Sequence, residues 1–342
     1  MPSRNSFYRL VSILFCLASL TISGETLAKA QTCQGPAECC PSDLSDTPTE
    51  KAVVQLGVLL VGLYAVDEKA GSWSADFYLS ESWRPAARFS PETEIANEVQ
   101  RLSEQFDTTE LSNGKCTRTR RIRSVLQNSF NLRTFPFDRQ VLLLEFSDAW
   151  FTARDVVYAR NPTVSALDSD AQEQLTSWKV EGGLTYSRFE KVLPEATGAA
   201  PYEYARFSLP VRRHITFHLT KFFLPLLVIV AVAFGLFWID PTDISTRVSI
   251  GVTCLLAAIA FQLADASSLG QVEYLTLADR VYAICYACLA LALLMAIFQN
   301  ALIRRGRADA AKRWDVRSRY GFPLSLTVAI VIAFVRAFTQ VG

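Results

Sequence analysis

The sequence predicts an extracellular, immunoglobulin-like antiparallel β-sandwich followed by a four-helix transmembrane bundle. Residues 51–213 consist of β-branched and aromatic runs separated by turn-like breaks, a texture typical of an antiparallel sandwich. Residues 214–342 contain four long apolar segments. The chain has 342 residues, is 50% hydrophobic and carries a net charge of +1, so its bulk charge indicates no nucleic-acid partner.

Two short segments precede the predicted sandwich. Residues 1–30 are typical of a signal peptide, because a basic start is followed by an apolar core and by the small residues "AKA". A retained membrane anchor is the alternative. Residues 31–50 form a polar leader that contains cysteines.

Four cysteines would lie in the exported part of the chain, where disulfides persist: Cys33, Cys39, Cys40 and Cys116. They allow three pairings, and the sequence does not choose among them. The alternative to a small disulfide knot at "CQGPAECC" is a loose tail with unpaired thiols. Metal binding by this cluster is disfavoured because no histidine lies nearby. We expect no metal site and no cofactor.

The sandwich strands begin at "VVQLGVLLVGLYAV" (53–66) and "SWSADFYLSESW" (72–83), with the turn-like "DEKAG" between them. Residues 91–106 are more typical of a helix and interrupt the strand pattern. Strand texture returns in "VLLLEFSDAWF", "WKVEGGLTYSRF" and "YEYARFSLPV".

Four apolar segments predict membrane helices: residues 222–239, 248–264, 281–298 and 321–335. Between the third and fourth, residues 303–319 are expected to form a short basic loop. Residues 304–319 carry seven Lys or Arg against two Asp, an excess that belongs on the cytoplasmic side. Four spans then place the β domain outside the membrane, in agreement with the signal peptide.

The second apolar segment carries a polar stripe along one helix face, since the stripe residues recur at spacings of three and four. From the inner to the outer end the stripe consists of Ser245, Ser249, Thr253, Leu256, Ala260 and Leu263. Copies of this helix around an axis would form hydroxyl rings that replace ion hydration and apolar rings that gate by dewetting. Ordinary helix packing through small residues is the alternative.

The stretch "FPFDRQ" (135–140) lies between two strand-like runs and places a carboxylate beside a rigid apolar turn. Together with the four spans that follow, it resembles the pentameric ligand-gated ion channels, the Cys-loop receptor family. The resemblance extends over roughly residues 51–338. The cysteines that close the loop in animal members would fall at Asn128 and Leu142, so the chain resembles the prokaryotic members, which lack that disulfide.

The resemblance implies a coupling role for the turn. It suggests that Asp138 and Asp67 pair with Arg213, whose backbone leads into the first span. Pro136 would stiffen the turn, Phe135 and Phe137 would pack among helix ends, and the cluster would act on the linker around Tyr274.

The resemblance also implies a pore lined by the second span. Leu256 would form the central gate, with Ser249 and Thr253 below it and Ser245 at the inner mouth. Cation conduction is favoured, because Asp243 and Asp265 lie near the two mouths. Arg247 opposes this, although the family often turns a basic residue here away from the pore.

A ligand site between subunits is the family's usual arrangement, and Trp150, Tyr202 and Tyr204 are candidates for an aromatic box there. Packing within strands is the alternative. The stretch 84–134 is short for the family and contains no Trp-x-Pro element, so one usual ligand loop is either missing or remodelled. "KCTRTRRIR" (115–123) could meet an anionic ligand, but a solvated strand face is favoured.

Histidine titrates near physiological pH, so His214 and His218, which start the first span, are candidate proton sensors; a structural role is the alternative.

These patterns favour a homopentameric channel opened by an extracellular ligand or by protons. The alternative is a non-conducting receptor that binds a solute through its β domain. An enzyme is disfavoured, because the sequence contains no nucleophile–base pair, no histidine-based metal cluster and no glycine-rich phosphate loop. The expected partners are membrane lipid, four further copies of the chain and permeant inorganic ions. The expected location is a bacterial inner membrane, with the sandwich in the periplasm.

Overall fold

A computed structural model describes residues 51–85, 89–192, 200–266 and 273–339. The signal peptide and leader predicted for residues 1–50 lie outside the described residues. Cys116 is in a disulfide. The pairing of Cys33, Cys39 and Cys40 also lies outside the described part of the chain.

The N-terminal part is a sandwich of two sheets. Its strands are β1 (Ala52–Asp67), β2 (Ser72–Trp83), β3 (Thr93–Ile95), β4 (Glu98–Ser112), β5 (Lys115–Gln127), β6 (Arg139–Asp148), β7 (Val156–Arg160), β8 (Ala166–Leu167), β9 (Trp178–Val180), β10 (Thr185–Lys191) and β11 (Tyr202–Arg213). A short helix, Ser169–Glu173, lies between β8 and β9. One sheet has the order β4-β5-β2-β1-β7, with β8 beside β1; the other has β10-β11-β6-β3, with β9 beside β11. The pairs are antiparallel except β1 with β7 and β8.

The core of the sandwich lies between the inward faces of the two sheets. Phe77 of β2 meets Phe146 of β6 edge to face at 6.2 Å, and Phe146 meets Phe207 of β11 at 6.0 Å. All three rings are fully buried. Because successive strand residues point to opposite faces, aromatic and branched residues at alternate positions fill this layer.

The helix predicted for residues 91–106 is wrong: this stretch forms β3 and the first part of β4. Glu, Gln and Arg favour a helix locally, but β4 pairs with β5 over its length. The turn between them is Asn113-Gly114, both with positive φ (53° and 69°). Asn-Gly is a strong local signal for a two-residue hairpin, and it outweighs the helix propensity of the strand before it.

Four helices after β11 are long and apolar enough to cross a membrane: Ile215–Trp238, Ile244–Ala266, Leu277–Arg304 and Ala308–Thr339. They confirm the predicted spans, and each begins before its predicted start; the first ends one residue before its predicted end. Only His214 separates β11 from the first membrane helix.

The basic loop predicted for residues 303–319 is largely helical. The third membrane helix continues to Arg304 and the fourth begins at Ala308, so the break is three residues long. Gly306 has a φ of +73°, a conformation that glycine adopts without strain, and it turns the chain here. The basic residues therefore lie on the helix ends and, for Arg305 and Arg307, in the short break between them.

Candidate functional site

The second membrane helix leaves its predicted stripe exposed in the part of the chain that the structure describes. Leu256 and Leu263 are 61% and 70% exposed, and the other stripe residues are exposed as well. The opposite face is buried against the other helices and contains Arg247, Gly251, Cys254 and Ala258. Gly251 lets the third helix pack closely there, because a Cβ at this position would lie 3.0 Å from Cδ1 of Leu293.

The inner end of this helix carries exposed carboxylates. Asp240 accepts hydrogen bonds from the N–H and hydroxyl of Thr242, and Asp243 accepts one from the Thr246 N–H. These bonds hold the pKa of both carboxyls below the usual range. Both therefore stay negative at neutral pH. The side chain of Asp265, predicted at the outer mouth, lies outside the description.

Arg247 is buried in the helix bundle at the level of these carboxylates. Its guanidinium donates to Asp315 of the fourth helix at 2.8 Å, to Gln299 of the third at 2.6 Å and to the Ile239 carbonyl. Arg319 also binds Asp315, at 2.9 Å. The cluster joins the four helices, and Arg247 has no exposed surface.

The "FPFD" turn places a buried carboxylate beside the end of β11. Arg213 donates to Asp138 through Nε at 2.7 Å and through Nη2 at 3.1 Å, and Gln140 binds the same carboxylate at 2.7 Å. The guanidinium also lies over the rings of Trp178 and Phe135, at 4.2 and 4.8 Å. Asp138 has no exposed surface and Arg213 is 5% exposed, so the pair is almost completely removed from water.

The expected pairing of Asp67 with Arg213 is wrong. The second acid on Arg213 is the next residue, Glu68, at 2.7 Å. The Asp67 carboxylate instead accepts the Ala70 N–H at 2.9 Å and closes the β1–β2 turn. Successive side chains at a strand end point in opposite directions, so only one of these two acids can face β11.

The turn contacts three of the membrane helices. The Leu132 N–H donates to the Tyr274 hydroxyl at 2.9 Å, and the Leu277 N–H donates to the Arg133 carbonyl at the start of the third helix. Phe137 packs on Phe334 of the fourth helix, with ring centroids 5.3 Å apart.

Phe135 packs on the first membrane helix, where its ring lies 4.9 Å from His218. Pro136 is buried between the two phenylalanines. The structure therefore brings the predicted coupling residues together, except for Asp67.

The two histidines differ in their surroundings. His214 is exposed at the junction of the two domains. His218 lies among aromatic rings, and its Nδ1 has no hydrogen-bond partner among the described residues. The sensor role stays a prediction.

The three aromatic ligand candidates do not share one environment. Trp150 is 68% exposed just beyond β6, whereas Tyr204 is buried and stacks on Phe189 at 5.1 Å. Tyr202 is half-buried at the start of β11. Strand packing thus accounts for Tyr204, and the ligand role of all three stays a prediction.

The cations of residues 115–123 are largely paired. Arg118 binds Asp107, Arg120 binds Glu81, and Arg121 binds Asp76. This favours the strand-face interpretation over an anionic ligand.

The sequence reasoning missed Glu68, Gln140 and Asp315. For Asp315 a signal existed: it is a single acid in the basic run "AKRWDVRSR" of an otherwise apolar region, and such a charge calls for a partner.

No family model matches the chain. Curated proteins do. The chain is 23% identical over 315 residues to a proton-gated ion channel of Gloeobacter violaceus. The alignment covers 86% of this chain and 85% of that protein. It is 24% identical over 197 residues to pH-sensitive chloride channel 2 of Drosophila melanogaster and 26% identical over 208 residues to the gamma-aminobutyric acid receptor subunit beta of Caenorhabditis elegans.

The matched parts differ in extent. The alignments cover 37% of the Drosophila protein and 36% of the Caenorhabditis protein, and 56% and 59% of this chain. These relatives are channels and receptors rather than enzymes. The Gloeobacter match extends across both domains, and it agrees with the β domain outside the membrane and four membrane-spanning helices. Together with the "FPFD" turn and its contacts, these likenesses point to the pentameric ligand-gated ion channel family.

Proposed function

We propose that the chain forms a homopentameric ion channel, opened by an extracellular ligand or by protons, whose pore is lined by the second membrane helix. The observation that carries this proposal is the exposed stripe of that helix. Three hydroxyl side chains and Leu256 lie on a face that no other part of the described chain covers. Hydroxyls gain little from lipid, so this face is better suited to a water-filled axis shared with other copies.

Cation conduction is the second part of the proposal. Asp240 and Asp243 are exposed just before the pore helix, and at the inner mouth of the proposed pore such carboxylates would concentrate cations. Arg247, the residue that opposes this, lies on the buried face and is paired with Asp315. The relatives include a chloride channel, so selectivity is a property to be measured.

The stimulus reaches the pore through the "FPFD" turn in this proposal. β11 leads through His214 into the first helix, and Asp138 ties the end of β11 to the turn. Leu132 and Arg133, just before the turn, contact Tyr274 and Leu277, which follow the pore helix in sequence. The names of two relatives, a proton-gated and a pH-sensitive channel, support protons as the stimulus.

The test is current through the purified protein in a planar bilayer with Leu256→Ser. A ring of serines would hydrate the gate, so we expect basal current without any stimulus. Leu324→Ser is the matched control, because Leu324 is 66% exposed on the fourth helix, away from the stripe.

We expect the Leu324→Ser protein to stay silent without a stimulus. Silence of folded, inserted Leu256→Ser protein would count against the pore and favour a non-conducting receptor. Equal basal currents from both variants would show that Leu256 has no special place.

A further inference from the structure

We propose that Asp315 of the fourth membrane helix is a positioning residue for charge selectivity, because it holds Arg247 of the pore helix away from the inner mouth. The inference rests on the proposed channel function. Asp315 lies on a different helix from the proposed pore lining, and it would act only through Arg247.

Arg247 points away from the exposed stripe of the pore helix. It lies two residues after Ser245 and two before Ser249, both of which are exposed on the stripe. A helix turns by about 100° per residue, so Arg247 points nearly opposite to both. It is nonetheless only one turn from Asp243 at the helix start, and its backbone N–H donates to the Asp243 carbonyl at 3.3 Å.

The charge of Arg247 is balanced by Asp315. Within 4.0 Å its guanidinium meets one acid among the described residues, Asp315, at 2.8 Å. The remaining acceptors, Gln299 and the Ile239 carbonyl, are neutral. The side chain of Asp315 is 4% exposed, so water does not replace this carboxylate as a partner of Arg247.

Removing the Asp315 carboxylate would free the Arg247 guanidinium to move. A buried guanidinium left with neutral acceptors is costly, and a long arginine side chain relieves that cost by extending its charged end to water. The nearest end of the helix is the inner mouth beside Asp243. Arg319, the other side chain bonded to Asp315, cannot supply the missing negative charge because it is itself a cation. It is half-buried and donates to the Phe237 carbonyl at 2.9 Å.

The consequence is a change in the ions that pass. In a pentamer, five arginines would move to within about one Debye length of the axis, and we expect the cation-to-anion permeability ratio to fall by roughly tenfold. In the unsubstituted protein Asp315 prevents this.

The experiment measures reversal potential in a planar bilayer under a potassium chloride gradient, with Leu256→Ser as the conducting parent. Asp315→Asn should shift the reversal potential toward the chloride equilibrium potential. Asp309→Asn is the matched control: it makes the same charge change on the same helix, but Asp309 is exposed. We expect it to match the parent.

A double variant, Arg247→Gln with Asp315→Asn, separates charge from mere structural damage. With the Arg247 guanidinium removed, its reversal potential should return to that of the parent. A shift that persists in the double variant would overturn the proposal, and so would an unshifted Asp315→Asn channel. If neither the parent nor the Asp309→Asn control conducts, the channel function itself fails, and the inference fails with it.

Discussion

Replacing Asp138 by asparagine should destabilise the β domain far more than an exposed charge change nearby. Asp138 has no exposed surface, and two oxygens of its carboxylate bind the Arg213 guanidinium at 2.7 and 3.1 Å. Breaking a buried ion pair by removing one partner costs about 3–5 kcal/mol. Glu68 remains as a second acid on Arg213, so we expect a loss near the lower bound, about 3 kcal/mol.

The assay is thermal unfolding of the full chain in detergent. For a domain of this size, each 1 kcal/mol shifts the midpoint by roughly 2–4 °C, so Asp138→Asn should lower it by about 6–12 °C. The control is Arg212→Gln, a charge change at an exposed residue of the same strand end; it also matches the Arg213→Gln variant used below. Arg212 is the adjacent strand residue, its side chain is 49% exposed, and its contact with Glu181 is worth about 0–1 kcal/mol.

A double-mutant cycle then isolates the pair itself. Asp138→Asn combined with Arg213→Gln should cost less than the sum of the single changes, with a coupling energy of about 2 kcal/mol. The reasoning is refuted if Asp138→Asn shifts the midpoint no further than Arg212→Gln does, or if the two single changes are additive.

Two further outcomes test other parts of the molecule. Burial raises the pKa of the Asp148 carboxyl to about 6, so the folded state binds this proton more tightly than the unfolded chain does. Stability should therefore fall by up to about 3 kcal/mol as the pH rises from about 4 to 6, and Asp148→Asn should flatten that part of the pH–midpoint curve; an unchanged slope would contradict this. Tyr274→Phe removes the acceptor of the Leu132 N–H, a bond worth about 1 kcal/mol, so the stimulus needed for half-maximal current should rise roughly fivefold. Basal current of the Leu256→Ser protein should not change, and a fall in it would place Tyr274 in the pore rather than in coupling.

The sequence predicts most of the architecture because two hydrophobic patterns are strong here. One is the strand texture of residues 51–213, and the other is the set of long apolar segments in residues 214–342. Long uncharged apolar runs are typical of membrane helices, and the exposed stripe of the second helix follows directly from its spacings of three and four. The failures are local. Residues 91–106 have helix-forming composition, and only pairing with β5 makes them a strand.

Ion-pair partners were less predictable than elements. Asp67 and Glu68 are adjacent acids, and the resemblance to the family points to the first, whereas the strand end directs the second toward Arg213. The Arg247–Asp315 pair joins residues 68 positions apart. Such a contact depends on how helices pack, which periodicity within one helix does not determine.

The polar composition of β4 has a consequence for solubility during export. β4 is the edge of its sheet and is long, so its outer backbone groups could accept a strand from another copy of the chain. Its charged residues recur about every third position: Glu98, Arg101, Glu104, Asp107 and Glu110. Any strand that added here would bring the same charges close together or strip them of water, which discourages aggregation before the chain reaches the membrane.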